Sequence, residues 1–143
     1  MKQLQGDIAI VEGNNELNVQ MIPITAILAG KIIGSYWRLT TEAIQHPHSD
    51  PIPYQVGYYM CFKIRNTGNI ATSFRMAYYI PPPEYGAGWR YSKPITLNPG
   101  QDGLIEWVLE AGDLKGAYTA TWYLFGDDTL VDSITITNYF SGK

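Results

Sequence analysis

An all-β fold, an immunoglobulin-like antiparallel β-sandwich of about nine or ten strands, is predicted by three features of this sequence. Apolar and polar residues alternate with period two along most of the chain, and helical spacing bounded by caps is scarce. Clusters of Gly, Pro, Asn and Asp punctuate the alternation at strand-plus-turn intervals. The length of 143 residues suits one domain spanning 1–143, with 1–55 read as a strand-rich N-terminal extension of the same sandwich.

The elements follow in order. Ile8–Val11 is a short apolar run, Gly13-Asn14-Asn15 a turn, and Leu17, Val19 and Met21 alternate with Asn18 and Gln20, so a hairpin is expected. Pro23 punctuates before a strand over Ile24–Leu28; Ala29-Gly30-Lys31 reads as a turn, and Ile32–Leu39 as its partner strand. Thr40–Gln45 holds at most one helical turn, and Pro47, Pro51 and Pro53 keep the next segment out of any central strand. Val56, Tyr58, Met60, Phe62 and Ile64 then form one face of the clearest strand, with Cys61, Lys63 and Arg65 on the other. After the turn Asn66–Asn69, Phe74, Met76, Tyr78 and Ile80 alternate with Ser73, Arg75, Ala77 and Tyr79, which predicts a second hairpin. Pro81–Tyr91 reads as a long loop, stiff at its prolines and loose at its glycines. Ile95 and Leu97 restart a strand, Asn98–Gln101 turns, and Leu104–Leu109 is the next strand. Ala117–Phe125, with Tyr118, Ala120, Trp122 and Leu124 on one face, and Leu130–Thr137 close the domain through Gly126-Asp127-Asp128.

Composition narrows the function classes. Hydrophobic residues make up 45% and charged residues 16% of the chain, too apolar for disorder and low enough in charge that part of the surface is expected to be covered by something. The net charge is −3 and Lys and Arg are scattered singly, so no basic stripe tracks a phosphate backbone and nucleic acid is not an expected partner. Cys61 is the single cysteine, which rules out an internal disulfide. Met1-Lys2 runs directly into Gln3, Gln5, Gly6 and Asp7 without a signal-peptide pattern, and no apolar run reaches membrane-spanning length, so neither export nor membrane insertion is expected.

From Tyr58 to Ile136 the sequence resembles the bacterial and archaeal immunoglobulin-like modules often called CARDB, or cell-adhesion-related, domains. Ile64-Arg65-Asn66-Thr67-Gly68-Asn69-Ile70-Ala71 looks like that family's apolar-x-Asn-x-Gly hairpin, with Phe74 and Ile80 as inward residues of the returning strand. Leu97-Asn98-Pro99-Gly100 looks like its Leu-x-Pro-Gly turn, and Gly116-Ala117-Tyr118 like its entry to the penultimate strand. The resemblance implies a sandwich and an interaction role. Without the export signal usual for adhesion proteins, the expected setting shifts by fold-level analogy to the virion, since tailed-virus particles assemble in the host cytoplasm and carry such domains.

Candidate chemistry is sparse. His46, His48 and Asp50 occupy alternate positions and could face one way as metal ligands, but Pro47 and Pro51 interrupt the segment and no other His exists. Asp127, Asp128 and Asp132 gather carboxylates at the last turn, where Asp is also a favoured turn residue, and calcium-loop spacing is lacking. Cys61 sits mid-strand between Met60 and Phe62, as a packed thiol would. No nucleophile elbow, phosphate loop or dinucleotide fingerprint occurs, so the expectation is a protein without catalytic residues, metal or cofactor.

The aromatic content is more informative: eleven Tyr and four Trp exceed what one core of this size needs. Tyr85, Trp89, Arg90 and Tyr91 concentrate the residue types of binding hot spots and form the predicted binding cluster, the alternative being that Trp89 folds back as a core lid. The leading expectation is a structural protein of a larger assembly, a capsid or tail decoration protein contacting other protein subunits or copies of itself. The alternative is a carbohydrate- or cell-surface-binding module in which Tyr85, Trp89 and Tyr91 stack on sugar rings, and a third reading is a small hydrolase or metal protein using His46, His48 and Asp50.

Overall fold

A computed structural model describes residues 25–84 and 86–143, and among these it is an all-β antiparallel sandwich of eight strands. They are β1 (Gly30–Leu39), β2 (Gly57–Asn66), β3 (Thr72–Ile80), β4 (Gly88–Tyr91), β5 (Ile95–Leu97), β6 (Asp102–Glu110), β7 (Lys115–Gly126) and β8 (Thr129–Ser141). A three-stranded sheet has the order β1-β2-β6, and a five-stranded sheet the order β4-β3-β7-β8 with β5 also on β3. The hairpin expected over 8–21, Ile24 and Tyr85 lie outside the described residues.

The period-two pattern sets the register. Met60, Phe62 and Ile64 from β2 and Phe74 and Met76 from β3 are fully buried, with Trp37, Ile105, Trp122, Leu124 and Ile136 completing the layer between the sheets. Lys63 and Arg65 alternate outward, as the pattern requires. Cys61 also faces outward yet is buried, because Tyr36 on β1 and Glu106 on β6 flank it in the register and close over it. Burial, and after it the Glu106 carboxylate, pushes the Cys61 thiol up to about 11.

Three expectations are corrected. Thr25–Leu28, the described part of the expected strand, is not a strand, and Ala29-Gly30-Lys31 is not a turn: the Ile27 and Ala29 carbonyls accept from Thr67, Gly68 and Asn69 instead of entering a ladder, and β1 already starts at Gly30. β2 and β3 are not a hairpin but belong to opposite sheets, so their two apolar faces meet across the core rather than lying side by side. Buried Asn66 builds that crossing, donating to the Ile70 carbonyl (2.8 Å) and the Leu97 carbonyl (2.9 Å) while accepting from the Gly68 N–H (2.9 Å). A side chain at Gly68 would come within 2.2 Å of the Ile27 oxygen, so only glycine fits there. Finally, Pro81–Tyr91 is not one long loop: Gly88–Tyr91 is strand β4, paired antiparallel with Ala77–Ile80 of β3.

One seam of the sandwich is closed and the other open. On the closed side the Ile32 N–H donates to Asp132 Oδ2 (2.8 Å), and the 46–52 segment plugs the gap through a backbone bridge from Trp37 to His46 and another from Ile52 to Phe140. On the open side β6 is a free edge among the described residues; it packs on Ile95 and Leu97 of β5 at Gly103, and a cleft of about 460 Å³ opens between its middle and the Tyr91–Ile95 segment.

Candidate binding surface

The outer face of the five-stranded sheet carries the molecule's principal aromatic cluster. Trp89 and Tyr91 are alternate residues of β4 and therefore share a face. Register places Tyr79 of β3 opposite Trp89, and Tyr91 and Tyr123 on either side of Ala77. The Trp89 ring meets Tyr79 (5.3 Å between centroids), Tyr123 (5.2 Å) and Phe125 (5.5 Å), the last two edge-on. Trp89 and Tyr91 lie 6.2 Å apart with planes 24° from parallel, and Tyr91 meets Phe125 edge-on at 5.8 Å. The cluster buries Ala77 beneath it, yet Trp89, Tyr91 and Tyr79 stay 39%, 43% and 45% exposed. The Arg75 guanidinium stands 4.2 Å over the Tyr91 ring and pairs with Asp128, which holds that edge in place.

Of the residues predicted to bind, Trp89 and Tyr91 are brought together on this face. Arg90 is not among them: it is opposite Tyr78, on the alternate side of the strand, and its guanidinium donates to the Gly86 carbonyl. Trp89 stands neither on a loop nor as a lid on the core: it packs on the outside of the sheet, as part of strand β4, and stays partly exposed. Tyr79, Tyr123, Phe125 and Arg75 complete the cluster and were missed as site residues. Their signal was the outward parity of Tyr79 and Arg75 opposite the buried Phe74 and Met76.

The open cleft continues past Tyr91 and is lined by Tyr59, Lys93, Leu104, Glu106, Trp107 and Val108. Arg38 roofs the adjoining small sheet, over the Tyr59 ring at 4.3 Å and donating through Nε (3.0 Å) and Nη2 (2.9 Å) to Glu106 Oε2.

The histidines have separate structural tasks. His46 stacks on Trp37 (4.2 Å, 11°), with Nδ1 3.0 Å from Asp50 Oδ2 and Nε2 3.5 Å from Glu42 Oε1. His48 turns the other way, with Nε2 2.8 Å from Ser35 Oγ on β1 and Nδ1 2.9 Å from Asn138 Oδ1 on β8. That Ser-His-Asn order is also the order of a nucleophile, its base and an orienting group. Here the ring joins a strand of one sheet to a strand of the other, and the Asn138 amide faces the buried Met60 sulfur, so the contacts staple the closed seam. Burial lowers the His48 pKa, partly opposed by Asn138.

The three aspartates likewise diverge. Asp127 and Asp128 are the central residues of the β7–β8 turn, with φ of 44° and 66°, the left-handed pair that a two-residue hairpin requires. Asp127 Oδ1 accepts from the Ser73 N–H (3.0 Å), Asp128 takes Arg75, and Asp132 faces β1.

No family model matches this chain, and no curated protein matches it in sequence. Among solved structures it is similar to the crystal structure of the C-terminal domain of wzt, with a TM-score of 0.58 and 12% identity, covering 83% of this chain and 77% of that one. At that identity the likeness is one of fold: both chains are β-sandwiches of related architecture.

Proposed function

We propose that this domain is a non-catalytic carbohydrate-binding module whose ligand stacks on Trp89, Tyr91 and Tyr79. The observation that carries the reading is the pair of half-exposed, nearly parallel rings of Trp89 and Tyr91 on alternate residues of one strand. Sugar rings offer apolar C–H faces to aromatic rings and leave their hydroxyls for polar neighbours, here the Tyr hydroxyls around the cluster. Edge-on packing against Tyr123 and Phe125 fixes Trp89 before any ligand arrives, which lowers the ordering cost of binding.

A glycan array followed by titration of a retained oligosaccharide tests this. The double variant Trp89→Ala/Tyr91→Ala should lose affinity by about tenfold or more, as expected for truncated aromatic anchors. Its circular dichroism should stay that of a folded sandwich. Undiminished affinity in the folded variant, or no glycan retained by the wild type, overturns the reading. Capture of a protein subunit through the same face, without glycan binding, would favour the decoration-protein role on a capsid or tail instead.

A further inference from the structure

We infer that two copies of this chain associate through the exposed half of β7, pairing antiparallel about Thr119. β7 is paired with β8 from Lys115 to Gly126, but with β3 only from Phe125-side residues Tyr123 to Gly126. Every residue from Lys115 to Ala120 is exposed, including Tyr118 at 46%, although Tyr118 and Ala120 continue the inward row of buried Trp122 and Leu124. Among the described residues, no strand pairs with this half of β7 on the β3 side. A strand bare on both faces and along one edge is a template for another strand unless charge, proline or a bulge blunts it.

Ala117–Thr121 carries no charge and no proline. The window has natural ends. Gly116, at φ 91°, leaves extended geometry on one side, and the β3 ladder begins at Tyr123 on the other. A second copy laid antiparallel within it, with Thr119 on the two-fold axis, sets Thr119 opposite Thr119, Tyr118 opposite Ala120 and Ala117 opposite Thr121. Each is a compatible cross-strand pair, and no charge faces a like charge. The edge of β6, unpaired among the described residues, is blunted by charge instead: Asp102, Glu106 and Glu110 are spaced along its whole length, whereas the β7 window carries none. Charge pattern therefore selects β7 over β6 as the self-associating edge.

The resulting interface is isologous and joins the two larger sheets into one. Its axis runs perpendicular to the sheet, so both outer faces look the same way and both Trp89 clusters meet one surface. That consequence rests on the carbohydrate reading; the pairing itself does not.

Sedimentation equilibrium of the full chain from micromolar to submillimolar concentration should show a reversible dimer. Thr119→Lys and Thr119→Glu each place like charges on the axis and should weaken self-association on the order of tenfold or more. An equimolar mixture of the two should recover a heterodimer, since Lys then faces Glu. Both substitutions are at an exposed position, and circular dichroism checks that the fold is kept. A wild type monomeric throughout, as it would be if residues 1–24 filled this edge, overturns the inference. So do charged variants that dimerise undiminished, or a mixture that stays monomeric.

Discussion

Phe62→Ala tests the register on which both sheet faces depend. Phe62 is fully buried on the central strand of the small sheet, between Ser35 and Ile105, with its ring 5.2 Å from Trp122 of the opposite sheet. Truncation to Ala opens a void of roughly 100 Å³, and at about 24 cal/mol per Å³ an uncollapsed cavity costs about 2.4 kcal/mol. Loss of the transfer free energy of the ring adds about 2 kcal/mol. The sum, about 4 kcal/mol, lies inside the usual span of roughly 3–5 kcal/mol for this change, and partial collapse around Trp122 would move it toward the lower end. Urea unfolding should show the midpoint falling with the slope unchanged. The thermal midpoint should drop by roughly 8–16 °C. Lys63→Ala, one residue along and exposed, should stay within about 0.5 kcal/mol. A loss below about 1 kcal/mol at Phe62, or a larger one at Lys63, would mean that the faces of β2 are exchanged.

Two further outcomes are expected. Asn66→Ala leaves the Ile70 and Leu97 carbonyls and the Gly68 N–H without their partner and should cost about 2–4 kcal/mol in chemical denaturation; Asn66→Asp, which points a carboxylate at two carbonyls, should cost at least as much, and a neutral result would refute the role given to this corner. Because burial lowers the His48 pKa below its ordinary 6.5, folding favours the neutral ring: the unfolded chain binds more protons in the window just below 6.5, and stability should fall as pH drops through that window and then level off. His48→Gln should flatten this part of the stability–pH profile, and an unchanged slope would show that another group titrates there.

Strand existence was legible because the period-two pattern is local. Met60, Phe62 and Ile64 announce a buried face whatever they oppose. Which strands pair was less legible. Asn66–Asn69 has the residues of a tight hairpin turn, and the alternation on either side is the same whether β2 and β3 lie side by side or face each other across the core. The decision is made by contacts far away in sequence: the Leu97 carbonyl that Asn66 reaches, and the Ile27 backbone against which Gly68 must fit. Likewise, Pro81–Pro83 and Gly86 disguised β4 as loop, since a four-residue edge strand has too short an alternation to stand out beside such neighbours.

The outer aromatic face shows the same division. The surplus of Tyr and Trp pointed to an aromatic contact face, and Trp89 and Tyr91 were identifiable by residue type and by their i, i+2 spacing. Grouping Arg90 with them treated the segment as a loop, in which sequence neighbours share a location. A strand divides sequence neighbours between opposite faces and recruits partners from other strands, so Arg90 leaves the cluster while Tyr79, Tyr123 and Phe125 enter it. The same logic exposes Tyr118 and Ala120. They share a face with buried Trp122 and Leu124, but parity only names a face, and β3 stops pairing at Tyr123, before it could close the sheet beside them.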